Sequence, residues 1–217
     1  MRAARTVLVL VGLMAAALCA NAANDIASVV ASARPAVVTV TTYDAAGKQK
    51  GLGTGFFVDD SHVVTCYHVI DGAMKAEVRS ATGKIYQVKG IAASDRIADV
   101  VRLSLESPVK GAKSLALAKS LPRQGEKVVV FGSPLGLELT VSDGIVSAIR
   151  EIPGVSKIIQ ITAPISPGSS GSPVLDLKGV VVASLPHTSP RAKTSTSQSR
   201  PSRCCRSERR RLHCQAI

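Results

Sequence analysis

The stretch Gly168-Ser169-Ser170-Gly171-Ser172-Pro173-Val174 places a serine between glycines in a tight turn that runs into an apolar segment. A flexible linker has the same Gly/Ser composition, and in isolation the stretch is more typical of a linker. The neighbouring segments Ile159-Gln160-Ile161 and Val174-Leu175 are apolar in the manner of strands, which argues against a linker. We therefore predict a structured turn between two strands.

Two upstream segments supply the groups that would make Ser170 reactive. His68 lies in Thr65-Cys66-Tyr67-His68-Val69, and Asp99 begins Asp99-Val100-Val101. A serine hydroxyl is a weak nucleophile; it needs a base within hydrogen-bond reach, and the base needs an acceptor on its other nitrogen. His68, Asp99 and Ser170 form a candidate acyl-transfer triad, and the backbone N–H groups of Gly168 and Ser170 could converge as an oxyanion hole.

Each residue also has a simpler interpretation. A lone histidine is more often structural, and we assign that role to His62, at the edge of a turn. Asp95 is interpreted as a turn residue. Asp99 is predicted inside an apolar strand, where an unpaired carboxylate is costly, and that cost favours a partner such as His68. Cys66 could be a cysteine nucleophile beside His68, but a small buried thiol is the favoured role.

Short strand signals dominate the body of the chain and predict an all-β protein. Asn24 or Asp25 can begin a short helix that reaches Ala33, with Pro35 ending it. Aromatic residues make up 3% of the chain and tryptophan is absent, so small aliphatic side chains must fill the core. About a dozen turn-punctuated strands indicate a barrel or sandwich, and the looser segment 106–125 is interpreted as the connection between two halves. The predicted strands include separate segments at 137–141 and 144–150.

Taken together, five motifs resemble the trypsin-like serine proteases of the HtrA (Deg) type. They occur in the family's order: Gly53-Thr54-Gly55-Phe56-Phe57-Val58, Val63 to Ile70, Asp95 with Ala98 to Val101, Gly132-Ser133-Pro134-Leu135-Gly136, and Ala163 to Gly171. The resemblance covers about residues 26–183. It implies two six-stranded antiparallel β-barrels, 36–105 and 126–184, within a protease domain at 23–184. It also implies an active site between the barrels, with His68 and Asp99 from the first and Ser170 from the second.

The resemblance carries further expectations about the site. It implies an endopeptidase acting on unfolded or damaged exported proteins, with no metal and no cofactor. The oxyanion hole would involve Gly168, Ser169 and Ser170, and the substrate pocket would include Ile165, Ser166 and Pro167. Polypeptides are the expected substrates, and members of the family are often homotrimers.

The N-terminus has the pattern of a signal peptide. Arg2 and Arg5 precede an apolar run from Val7 to Leu18, and Ala20-Asn21-Ala22 offers a small-x-small cleavage site. We predict removal of residues 1–22, no membrane span afterwards, and a periplasmic or secreted product. A lipoprotein anchor at Cys19 is disfavoured by the bulky Leu18 before it.

Charge and cysteines concentrate at the C-terminus. The net charge is +12, but residues 185–217 hold eight Lys/Arg against the single acid Glu208, whereas the body is nearly balanced. A basic nucleic-acid binder acting through residues 200–211 is thus an alternative that the body does not support, and we expect no nucleic-acid partner. Cys66 is the one cysteine of the body; Cys204, Cys205 and Cys214 lie beyond it.

Hydrophobic periodicity stops after Ser184, where the family's domain would continue through a further strand. We expect residues 185–217 to be a disordered basic tail and the second barrel to be incomplete. Codons allowed for Arg191 to Arg200, read one base earlier, can encode the expected Gln-Asn-Leu-Asn-Phe-Ala-Val-Pro segment, which suggests a C-terminal truncation by frameshift between Ala183 and Pro190. An incomplete barrel also leaves a second function open, a weakly active or inactive binding module of the protease fold.

Overall fold

The computed structural model describes residues 25–132, 139–151, 157–166, 168–185 and 215–216. Three predicted features lie outside these ranges: the signal peptide 1–22, the pocket residue Pro167 and the stretch 191–200 used in the frameshift argument. Of the tail 185–217, only residues 185, 215 and 216 are described. Within them the chain forms two curled sheets with a short N-terminal helix, as expected of an all-β protein.

The first sheet closes into a six-stranded antiparallel barrel in the order β1-β2-β3-β6-β5-β4. β1 alternates valines and threonines, and its burial alternates in step, as a strand with one face on a core requires. The strands are β1 (Val37–Tyr43), β2 (Gln49–Phe57), β3 (His62–Cys66), β4 (Lys75–Ser80), β5 (Ile85–Asp95) and β6 (Val100–Leu105).

The second sheet contains five strands paired antiparallel in the order β11-β10-β7-β8-β9. They are β7 (Lys127–Gly132), β8 (Thr140–Glu151), β9 (Lys157–Ile161), β10 (Pro173–Leu175) and β11 (Val181–Ser184). The segment that runs from β6 to β7 contains no described strand and joins the two sheets, as predicted for 106–125.

A two-residue strand, β12 (Gln215–Ala216), closes the second ring between β11 and β9. It pairs parallel with both neighbours, through Ser184 on one side and through Ile158 and Ile159 on the other. The prediction of a second barrel without a full last strand is therefore confirmed, but the edge of β11 is not wholly unpaired. Such a short parallel segment satisfies few of the edge's backbone groups.

Helix α1 (Ile26–Ala33) packs where the two sheets meet. It starts after Asp25, whose side chain makes no capping hydrogen bond, and leads into a 3-10 turn at Arg34–Ala36 that contains Pro35. Val29 and Ala33 of the helix join a buried cluster that takes side chains from both sheets, including Phe56 and Phe131. Each sheet also has its own interior cluster. The shared cluster fixes the two barrels against each other.

Two local predictions were wrong. The segments predicted as separate strands at 137–141 and 144–150 belong in their described part to the single strand β8. The predicted break at residues 142–143 does not exist, because Ser142 and Asp143 pair with Val130 and Val129 of β7. The next residue, Gly144, permits a close approach to the Ala163 backbone, since a Cβ there would fall 2.4 Å from the Ala163 nitrogen. Asp99 precedes β6 instead of lying in it, and its φ of 48° is incompatible with a strand.

No helix in the described part of the chain is long and apolar enough to cross a bilayer.

Candidate active site

Strand pairing in the first barrel brings His68 and Asp99 together. His68 belongs to the short helix α2 (Tyr67–Ile70), which follows β3, and Asp99 immediately precedes β6. β3 pairs with β6 in a register that sets Cys66 opposite Val100. The backbone N–H of Tyr67 extends this pairing by donating to the Asp99 carbonyl at 3.1 Å.

The Asp99 carboxylate binds His68 through both oxygens. Oδ2 lies 2.6 Å from Nδ1 of the imidazole, and Oδ1 accepts from the His68 backbone N–H at 2.9 Å. Burial alone would raise the pKa of the Asp99 carboxyl, but the hydrogen bonds from the His68 imidazole and backbone outweigh burial and lower that pKa. A carboxylate can only accept, so Nδ1 carries the proton and a neutral imidazole presents Nε2 as its basic nitrogen.

The conformation of Asp99 is unusual. It is the one non-glycine residue with positive φ in the described part of the chain. The turn before it is held by Asp95, whose Oδ1 accepts from Ile97 N at 3.0 Å and Ala98 N at 2.9 Å, which confirms its role as a turn residue. Arg96 places its guanidinium 4.7 Å from the centre of the Tyr67 ring, so the turn is also packed against α2.

The turn that contains Ser170 lies against the first barrel. The Ser170 carbonyl accepts from the backbone N–H of Thr54 in β2 at 2.8 Å. Gly171 has a φ of +85°, and a Cβ on it would fall 2.1 Å from the Thr54 carbonyl and 3.0 Å from the Cys66 nitrogen. Ser170 is therefore held at the seam, next to the segment that carries His68, and its side chain is half-buried.

Hydrogen bonds define which amides of this turn are engaged. Ser169 N donates to Ser166 O at 3.1 Å, and Ser172 N donates to Ser169 O at 2.9 Å. The Ser170 N–H donates to no backbone carbonyl among the described residues. Gly168 has a φ of +94°, which an L-residue rarely adopts.

The segment before the turn holds the predicted pocket residues. Ile165 is half-buried against the core of the second barrel, and Ser166 is exposed. Pro167 lies outside the described residues. Ser142 of β8 donates through Oγ to the Pro164 carbonyl at 2.8 Å, which anchors this segment to the sheet.

Cys66 lies behind the His68–Asp99 pair and is 1% exposed. Its thiol donates to the Leu185 carbonyl at 2.9 Å. Burial and the nearby negative charge of Asp99 raise the pKa of the Cys66 thiol well above its ordinary value. A neutral buried thiol is a poor nucleophile, which matches the small, structural role that the sequence favours.

Cys66, His68 and Asp99 also form the one cluster with metal-ligand spacing among the described residues, with ligand atoms within 4.8 Å of one another. The residues offer mixed sulfur, nitrogen and oxygen donors. A metal there would have to break the 2.6 Å contact of His68 with Asp99 and deprotonate the buried thiol. Hydrogen bonds therefore account for why these three side chains lie close together. That the protein needs no metal stays a prediction.

His62 lies apart from this site. Its Nδ1 is 2.9 Å from both oxygens of Asp59 in the turn before β3, as expected of a structural histidine at a turn edge.

Two residues of the site are not indicated by the sequence patterns. Leu185, fully buried, exchanges backbone hydrogen bonds with Gly171 and Ser172. The other is Thr54, for which the sequence gives no signal beyond its place in the Gly53–Val58 motif.

Comparison with known sequences gives one family. The profile of the family described as "Trypsin-like peptidase domain" matches residues 53–183. The "Probable periplasmic serine endoprotease DegP-like" of Pseudomonas fluorescens is 39% identical over 138 residues, covering 61% of this chain and 28% of that protein. The "Anti-sigma-I factor RsgI9" of Acetivibrio thermocellus is 34% identical over 148 residues, covering 67% of this chain and 20% of that protein.

Comparison with solved structures agrees. A structure described as the HtrA-type protease AlgW with a tripeptide superposes with a TM-score of 0.64 at 28% identity, covering 72% of this chain and 52% of that one. The chain spans between 20% and 38% of the length of the first three curated relatives it matches.

Proposed function

The chain belongs to the trypsin-like peptidases and is of the HtrA type, and from that premise we propose that it is a serine endopeptidase with Ser170 as nucleophile. The observation that carries this proposal is the His68–Asp99 pair, with Nδ1 2.6 Å from Oδ2, beside a glycine turn that holds Ser170 at the barrel seam. His68 accepts the Ser170 proton on Nε2 and later delivers it to the leaving amine. Asp99 fixes the tautomer and orients the ring.

The acyl-enzyme forms on the Ser170 oxygen and is then hydrolysed by water that the same imidazole activates. The negative charge on the attacked carbonyl oxygen is stabilised by the N–H groups of Gly168 and Ser170. The third predicted residue of this hole, Ser169, has its amide engaged with Ser166 O, so we assign it to shaping the turn. Removing one oxyanion donor typically costs about 10²–10³ in kcat.

We further propose that the domain comprises residues 23–184 and that Ile165, Ser166 and Pro167 line the substrate pocket. The basic tail 185–217 has no function in this scheme beyond the backbone hydrogen bonds of its first residue, Leu185, with Gly171 and Ser172. The substrates are unfolded or damaged exported polypeptides, and the location is the periplasm or the exterior, as the periplasmic relative's name suggests by analogy. Nucleic acid has no role in this scheme, and the assembly is a homotrimer. An inactive binding module is not favoured, because every residue that the triad chemistry needs is present.

A fluorophosphonate probe tests the function, since it reacts with a serine only when the serine is activated. We expect the full chain to be labelled at Ser170, with labelling and casein cleavage both lost in Ser170→Ala. Ser147→Ala is the matched control, because its hydroxyl on β8 is buried, has no hydrogen-bond partner among the described residues and lies away from the turn of Ser170. Equal labelling of the wild type and of Ser170→Ala would overturn the proposal.

A further inference from the structure

One buried threonine hydrogen-bonds both ends of the nucleophile turn. Thr54 donates through Oγ1 to the Gly168 carbonyl at 2.8 Å and through its backbone N–H to the Ser170 carbonyl at 2.8 Å. Thr54 and Gly168 are 114 positions apart in sequence and come from different barrels. Thr54 is completely buried, so water does not compete for these bonds.

Thr54 is itself held from behind. Thr65, at 0% exposure in β3, donates through Oγ1 to the Thr54 carbonyl at 2.7 Å. Thr65 precedes Cys66 and α2, so one line of hydrogen bonds runs from the strand that leads to His68, through β2, to the turn of Ser170. We call Thr65, Thr54 and the two carbonyls of Gly168 and Ser170 the threonine clasp.

Glycines allow the backbone of the nucleophile turn to approach the clasp closely. A Cβ on Gly171 would collide with the Thr54 carbonyl and lie 2.4 Å from Thr65 Oγ1. A Cβ on Gly53 would lie 3.0 Å from the Ser170 carbonyl and 2.8 Å from Val69. The turn and the first barrel touch backbone to backbone, which leaves little freedom for the turn to shift.

The clasp also determines how the peptide groups around Ser170 are oriented. In a trans peptide the C=O and N–H point in opposite directions. The 168–169 peptide is fixed by Thr54 Oγ1 at its oxygen and by Ser166 at its N–H, and the 170–171 peptide by Thr54 N at its oxygen and by Leu185 at its N–H. The 169–170 peptide between them has its oxygen bound to Ser172 N, so its N–H, that of Ser170, faces the other way.

We propose that Thr54 is a positioning residue for the reaction proposed above, and the inference rests on that function. The hydrogen bonds described for Thr54 in this turn run to backbone carbonyls and not to the Ser170 hydroxyl or the His68 ring. Its hydroxyl holds the Gly168 carbonyl so that the turn keeps the geometry in which Ser170 and the oxyanion donors meet the substrate carbonyl together. Displacement of reacting groups by about 1 Å can cost about 10²-fold in rate.

The test compares Thr54→Val, which has nearly the same shape but no hydroxyl, with Thr54→Ser, which keeps one. Thr42→Val is the control, since Thr42 is also fully buried and donates to a backbone carbonyl, Val69 O, at 3.2 Å without reaching the nucleophile turn. We expect Thr54→Val to lower kcat by about 10²-fold with little change in KM. Thr54→Ser and Thr42→Val should stay close to the wild type in kcat, although Thr42→Val should lose thermal stability much as Thr54→Val does.

Thr65→Val is a second variant, which loosens the clasp one step further from the turn and should lower kcat less than Thr54→Val. The proposal is overturned if Thr54→Val keeps its kcat, if Thr42→Val loses as much, or if Thr54→Ser is equally impaired. Native-state amide hydrogen exchange of segment 168–172 tests whether Thr54 holds the turn, and it requires no enzymatic activity. Exchange there should accelerate in Thr54→Val and not in Thr42→Val, and equal exchange overturns the clasp even if the wild type cleaves nothing. A wild type that reacts with no fluorophosphonate overturns the function instead.

Discussion

The Asp99 carboxylate accepts two hydrogen bonds from His68, with Oδ2 2.6 Å from the ring Nδ1 and Oδ1 2.9 Å from the backbone nitrogen. The second bond ties the carboxylate to the helix that carries the ring, so ring and carboxylate move together. The positive φ of Asp99 is part of this arrangement, because its carbonyl accepts from Tyr67 N while its side chain turns back to His68.

Asp99→Asn should lower kcat by about 10⁴-fold with the fold retained. The amide can donate to Nδ1 and so selects the wrong tautomer of His68, and Asn tolerates positive φ well. Steady-state kinetics on a peptide substrate, together with circular dichroism, measure both effects. Asp95→Asn is the control, since its oxygen only closes the preceding turn. A kcat in Asp99→Asn within tenfold of the wild type would remove Asp99 from the triad.

The same carboxylate should make stability depend on pH. The pKa of Asp99 is lowered in the folded state, so its contribution is complete above the ordinary carboxyl value of about 3.9 and is lost as the pH falls through the lower folded value. The free energy of unfolding should therefore differ between the wild type and Asp99→Asn at pH 6, and the gap should close in acid below pH about 3.9. Urea denaturation at a series of pH values measures it. A gap that widens in acid would contradict the assignment.

Cys66 should resist alkylation in the folded protein. It is 1% exposed and burial raises the pKa of its thiol, so little thiolate exists at pH 8. Iodoacetamide should leave activity unchanged in a variant whose Cys19, Cys204, Cys205 and Cys214 are serine, with carboxamidomethylation of Cys66 appearing only in denaturant. Mass spectrometry counts the label. Rapid labelling with loss of activity in the native protein would instead support Cys66 as the nucleophile.

Gly171→Ala should unfold or inactivate the protein, whereas Gly83→Ala should cost little. Both glycines have positive φ, +85° and +83°, so backbone strain of about 1–2 kcal/mol is common to the two substitutions. A Cβ on Gly171 would also collide with the Thr54 carbonyl, while a Cβ on Gly83 meets nothing within 4 Å. Denaturation midpoints and fluorophosphonate labelling separate the steric from the conformational cost. Equal effects of the two substitutions would show that the close approach at Thr54 is unimportant.

The sequence predicted the two sheets because alternating Val and Thr residues and closely spaced turns are local signals, visible in β1 without any tertiary information. His68 and Asp99 were paired correctly since a carboxylate in an apolar setting needs a partner. The conformation of Asp99 was missed because its apolar neighbours favoured a strand, and the turn held by Asp95 overrode that preference. The break predicted at residues 142–143 is wrong because Ser142 and Asp143, although polar, pair with Val130 and Val129 of β7.

Other features depend on contacts between distant parts of the chain and left no local signal. The bond from Thr54 to Gly168 joins residues that no pattern links, and only the glycines around Thr54 hinted at a close approach. The two-residue β12 is equally non-local, since Gln215 pairs with Ser184 across a long stretch of polar sequence.

Leu185, just after β11, links the end of the second barrel to the turn that contains Ser170. Its backbone accepts from Gly171 N and donates to Ser172 O, and its carbonyl also receives the Cys66 thiol. A force applied to the chain beyond Leu185 would therefore act directly on the peptide groups beside Ser170, the proposed nucleophile, without passing through the other strands of the second barrel.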